Sequence, residues 1–176
     1  MENQNHAFNY AYLLKQVKAR VLLAQKKAIY TANEEMLSMY WDIGKLLSES
    51  QKQIGWGNNA LEKLANDLKN DYPEMKGFSV RNCQFMIQFY NEYNQQLTNT
   101  KRAVSYLNNN EIVLPVSKLG WSHNITLMQR TKDIKARYWY MIQCLKNGWS
   151  RDFLIEAIKQ DYYHSHGALA SNFDTA

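Results

Sequence analysis

Three groups of residues have side-chain types that could do chemistry. Asp71-Tyr72-Pro73-Glu74-Met75-Lys76 spells the letters of an Asp…Glu-x-Lys metal-nuclease motif. Such a site needs acids held rigidly around a metal by extended segments. These acids fall on a predicted helix end and a proline turn, so the motif is rejected. His164-x-His166 offers two imidazoles in a small polar tail with no third ligand nearby, short of the three or four that a protein metal site takes. His123, beside Trp121 and Ser122, has no Ser or Cys partner at a recognisable spacing and reads as a capping or packing histidine. No glycine-rich phosphate loop occurs. No catalytic residue, metal or cofactor is therefore expected, and no enzyme complete in this chain.

The fourth group is of a different kind. In Gly77-Phe-Ser-Val-Arg-Asn-Cys-Gln-Phe-Met-Ile-Gln-Phe-Tyr90, Cys83, Met86, Phe89 or Tyr90, and Tyr93 repeat at helical spacing, while Arg81, Asn82, Gln84, Gln88 and Asn91 lie between them. An α-helix fits the DNA major groove, where Arg, Asn and Gln pair with base edges. Arg81, Asn82, Gln84 and Gln88 are the candidate base readers, with Lys76 and Ser79 as phosphate contacts. The plain alternative is a solvated helix face.

Other elements must position that helix. Ser79 is a good N-cap for it. Before it, Leu61, Leu64, Ala65, Leu68 and Tyr72 form an amphipathic stripe that Asn58 can cap and Pro73 stops. The pair over 58–93 resembles a helix-turn-helix, although the connection from Pro73 to Phe78 is longer than the usual turn. Upstream, a helical region over 7–53, in one piece or in two with a break at Thr31 and Asn33, carries a heptad-like seam at Tyr10, Leu14, Val17, Val21, Ala24 and Ala28. From Gln95 to Ser117 the pattern lapses into a predicted loop or wing, with a short strand at Glu111–Leu114. Helices resume at His123–Arg130, Lys132–Lys146 and Arg151–Asp161, capped by Thr131 and Ser150, with Gly148 in a left-handed position.

The totals agree with a helical domain. The chain has 176 residues, 45% hydrophobic and 13% aromatic, with 7 glycines and only 2 prolines. That composition can build a core and argues against an all-β fold. Net charge is +5, unevenly spread. Residues 1–30 carry five basic and one acidic group, 31–80 five and eight, 81–146 nine and three, and 147–176 two and four. Clustered cations point to a polyanion partner. Cys83 and Cys144 sit inside apolar helical patterns and read as buried free thiols, which fits a reducing cytoplasm. The N-terminus has no signal-peptide pattern and no apolar run approaches membrane-spanning length.

Several motifs, in order, resemble one bacterial family: Tyr40-Trp41-x-Ile43-Gly44, Gly55-Trp56-Gly57, Leu64-x-x-Asp67-Leu68, Gly77-Phe78-Ser79-x-Arg81-Asn82-x-x-x-Met86-x-x-Phe89, Trp121-Ser122-His123-Asn124, Arg137-x-Trp139-Tyr140 and Gly148-Trp149-Ser150-Arg151. The chain resembles the N-terminal domain of YhcG-type proteins from about Tyr10 to Phe173. In that family a PD-(D/E)XK nuclease domain follows. Here Ser171-Asn172-Phe173-Asp174 is followed by two residues, so the nuclease half is expected to lie outside this chain. The resemblance implies a domain that positions the nuclease on DNA. It carries over Trp121, Ser122, His123 and Asn124 as a motif of unknown role. Pro115 stands apart from Trp121, where the family pattern has them adjacent.

The expected fold is all-α: one helical domain over 1–170, with a helix-turn-helix-like unit, a wing as an option, a long N-terminal helical hairpin, and a tail at 171–176. Two functions follow. One is a DNA-binding domain serving a nuclease. The other is an interaction or oligomerisation module, a homodimer included, built on the N-terminal seam.

Overall fold

A computed structural model describes the backbone over residues 2–54, 58–103 and 115–167, and side chains over 10–52, 59–94 and 115–166. The architecture is all-α, with no strand among the described residues. Six α-helices follow in order: α1 Glu2–Ile54, α2 Asn58–Asp71, α3 Val80–Ala103, α4 Trp121–Arg130, α5 Ile134–Asn147 and α6 Arg151–Lys159. A 3₁₀ turn, Pro115–Lys118, precedes α4, and a π-type turn, Tyr163–Gly167, follows α6.

The expected hairpin and the break at Thr31 and Asn33 are not found. α1 is one helix of 53 residues, about 80 Å long at 1.5 Å per residue. Neither residue is a strong helix breaker. Asn33 instead ties the helix to the rest of the fold, its amide donating to the carbonyls of Ser117 (3.1 Å) and Leu119 (3.0 Å). Beyond that point α1 packs inward. Leu37, Tyr40 and Leu47 are buried, whereas residues 10–32 are all exposed. The first half of α1 therefore projects from the body as a free rod.

α3 is the central helix. Cys83, Met86, Phe89 and Tyr93 are buried as their spacing predicts. Gly44 of α1 sits where the two helices cross, and a Cβ there would overlap the Met86 carbonyl. α3 also runs longer than expected, to Ala103, because residues 95–103 hold neither Gly nor Pro to stop a growing helix. The predicted strand at Glu111–Leu114 lies outside the described residues.

The main core joins Phe89 and Tyr93 to Leu127, Met128, Tyr140, Met141, Cys144, Leu154 and Ala157 of α4 to α6. Trp41, Trp121, Trp139 and Trp149 all pack against it. Ser150 caps α6 by accepting from the Phe153 N–H (3.2 Å), and Gly148 closes α5 at φ 64°, both as expected. Asp133, not Thr131, caps α5, accepting from the Lys135 N–H (2.8 Å). Thr131 instead ends α4 and is buried under Arg137.

α2 turns its apolar stripe toward α1 and α3, with Leu61 and Ala65 buried. It stands off from α1, leaving an apolar groove of about 570 Å³ lined by Met39, Ile43, Leu46, Leu47 and Ser50 of α1, Leu64 and Leu68 of α2, and Tyr72, Met75 and Phe78 beyond it.

Candidate nucleic-acid interface

The proposed reading helix begins with the expected cap. Ser79 Oγ accepts from the Asn82 N–H (3.2 Å), which orients the first turn of α3. Before it, Gly77 adopts φ 128°, a conformation that disfavours any side chain, and a Cβ there would lie 2.5 Å from the Tyr40 hydroxyl. The 72–79 connection is thus pressed against α1.

Asn82 faces inward. Its amide nitrogen donates to the Gly77 carbonyl (2.5 Å) and its oxygen accepts from the Trp121 indole (2.7 Å). It therefore pins the connection before α3 to the first turn of α4. Burial pushes the Tyr40 hydroxyl above its ordinary pKa, partly opposed by a hydrogen bond from Asn82. A side chain engaged in this way has no edge left for a base.

Of the remaining candidates, Lys76, Arg81 and Gln84 are exposed. The Arg81 guanidinium lies over the Phe85 ring, 5.6 Å from its centre. Gln88 is half-buried and donates to Glu92 (2.6 Å). Glu92 in turn accepts from the Arg137 guanidinium (2.7 Å), which is 2% exposed and also donates twice to the Thr131 carbonyl (3.1 and 2.7 Å). One stripe of α3 thus runs from cationic at Arg81 to carboxylate at Glu92. Asn91, expected on the outer face, accepts from Ser48 of α1 (2.7 Å).

The Trp121–Asn124 motif has a structural role. Trp121 bonds Asn82. Ser122 is exposed, and its carbonyl accepts from the Thr126 hydroxyl (2.8 Å). His123 Nε2 lies 2.9 Å from the Trp149 carbonyl. Asn124, fully buried, donates to the Val116 carbonyl (3.0 Å) and lies within reach of those of Gly120 (3.3 Å) and Leu119 (3.4 Å). The motif therefore fastens the 115–120 turn and the α5–α6 corner onto α4.

Among the described residues of 81–146 the exposed cations are Arg81, Lys118, Arg130, Lys132, Lys135 and Lys146, and none of them makes an ion pair there. Against them, among the same described residues, stands one exposed carboxylate, Asp133, which caps α5. Arg130, Lys132 and Lys135 bracket the α4–α5 corner. Sequence spacing does not mark this corner, because Arg130 ends α4, Lys132 lies between the helices and Lys135 belongs to α5.

Both thiols are buried, and burial pushes Cys144 up to about 11 and raises Cys83 as well. Among the described residues no group of three or more His, Cys, Asp and Glu gathers that could hold a metal ion. No helix among them is long and apolar enough to cross a membrane.

The family model of the DUF1016 N-terminal domain matches residues 16–165. No curated protein and no solved structure matches the chain.

Proposed function

The chain belongs to the DUF1016 N-terminal domain family, which is associated with YhcG-like nucleases, and from that premise we propose that it is a DNA-targeting domain with no active site of its own. The observation that carries this is the charge imbalance of the 81–146 segment, six exposed cations against one exposed carboxylate among the described residues. Cations without an ion-pair partner among the described residues are suited to phosphates, and phosphate contacts hold a protein on DNA without reading its sequence. The contact set is Lys76, Arg81 and Gln84 at the start of α3, joined by Arg130, Lys132 and Lys135 at the α4–α5 corner. With Asn82 and Gln88 engaged inside the fold, sequence discrimination is weak, and the domain holds DNA while a nuclease domain of the same family cuts it.

Fluorescence anisotropy of a labelled random duplex tests this. Affinity falls about 40-fold between roughly 50 and 200 mM salt if three phosphates are neutralised. Arg81→Ala combined with Lys132→Ala and Lys135→Ala removes most of the binding and leaves the fold intact. Absence of binding at the lower salt rules the function out.

A second function, an interaction or oligomerisation module, is favoured by the projecting half of α1. Tyr10, Val17, Val21, Leu22, Leu23, Ile29 and Tyr30 are all at least half exposed there. Most helical stability in proteins comes from packing an apolar face, so such a rod is suited to a partner.

A further inference from the structure

We propose that two copies of this chain pair antiparallel through α1, the first half of each helix lying in the α1–α2 groove of the other; this rests on the second function above and names the partner. Three features of the molecule point to it.

The first is continuity of the apolar face. At roughly 100° per residue, Met39, Ile43 and Leu46 of the groove fall on the same face of α1 as Tyr10, Leu14, Val17 and Val21. One face of one helix thus carries both an apolar ridge and an apolar trough that no described residue covers or fills. Leu46 is 64% exposed although it lines the trough. Ser50 is the one polar side chain of α1 in that lining.

The second is charge. Residues 10–33 hold five cations, Lys15, Lys18, Arg20, Lys26 and Lys27, and no carboxylate. None of the five makes an ion pair among the described residues. Residues 34–76, which carry both walls of the groove, hold eight carboxylates and five cations. A parallel pair sets cation on cation along the rod. An antiparallel pair sets the basic half of each helix beside the acidic half of its partner, with Asp42 and Glu49 flanking the groove on α1.

The third is closure. An antiparallel pair with its two-fold axis near residue 30 makes both contacts identical, so the assembly stops at two. Ala28, Thr31 and Ala32 lie near that axis and are small enough for the two backbones to approach.

Light scattering on the eluting full chain at about 50–100 µM reads the mass. The expected result is twice 20.7 kDa. Val17→Asp with Val21→Asp on the ridge, and separately Leu46→Asp in the groove, each give monomers with unchanged tryptophan emission. Orientation comes from a spin label at Tyr12→Cys, a position 60% exposed, the native cysteines being buried. Antiparallel helices crossing near residue 30 place the two labels about 54 Å apart, and parallel helices place them about 10–15 Å apart. A monomer at every concentration overturns the pairing and homo-oligomerisation together, leaving ridge and groove to a different protein. A dimer with close labels, or one that Leu46→Asp leaves intact, overturns the groove docking while homo-oligomerisation stands.

Discussion

Asn82 shows how a residue type can fit one job while its surroundings assign it another. An asparagine on the polar face of a helix beside Arg81 matches the chemistry of adenine recognition. The fold spends both ends of its amide on Gly77 and Trp121, residues that the sequence places before and well after it. Asn82→Ala orphans the Trp121 indole N–H and the Gly77 carbonyl, so it costs about 2 kcal/mol in urea unfolding. Arg81→Ala, one residue earlier and exposed, stays within about 0.5 kcal/mol. A matched pair of unfolding curves checks this. It also decides how a loss of DNA binding is read, as a lost contact for Arg81 and a loosened fold for Asn82. The same holds for Arg137 and Glu92, an ion pair 45 residues apart that leaves no local pattern in the chain.

Periodicity was informative for the elements wherever one face is buried against one neighbour. The buried positions of α3, the stripe of α2 and the caps Ser79, Ser150 and Gly148 were all legible, because each follows from spacing or backbone geometry within a few residues. Legibility ended where a distant partner decided the outcome. Thr31 and Asn33 resemble a break until Asn33 finds the carbonyls of Ser117 and Leu119. Thr131 is a suitable cap until Arg137 claims its carbonyl, moving the start of α5 on to Asp133. Gly44 belongs to the same class. Its place in the Tyr40–Gly44 motif is visible in the sequence, but its reason, the close passage of the Met86 carbonyl, appears only when α1 crosses α3. Gly44→Ala trades better helix propensity for a backbone clash. The clash prevails, and stability drops by about 1–3 kcal/mol, read as a lower urea midpoint at unchanged slope. An unchanged midpoint would mean that the crossing widens at little cost.

At the scale of the whole molecule, the candidate interface was half legible. The basic character of 81–146 could be counted, but the α4–α5 corner that concentrates it could not, since Arg130 and Lys135 belong to different helices. Charge also divides the molecule along α1, basic on the rod and acidic around the groove, while the net charge of +5 hides both. The placement of the tryptophans gives this division an optical consequence. Trp41, Trp121, Trp139 and Trp149 all pack in the body, the fifth tryptophan, Trp56, falls outside the described residues, and residues 2–40, which include the whole rod, contain none. The rod itself therefore contributes no indole emission, whereas peptide ellipticity near 222 nm counts the rod's turns as well. On dilution the two signals separate: ellipticity falls as rods lose their partners and fray, while emission holds steady. A thermal scan of a dilute sample likewise shows two midpoints. The chain carries in its own chromophores a gauge of its state of association, readable without any label.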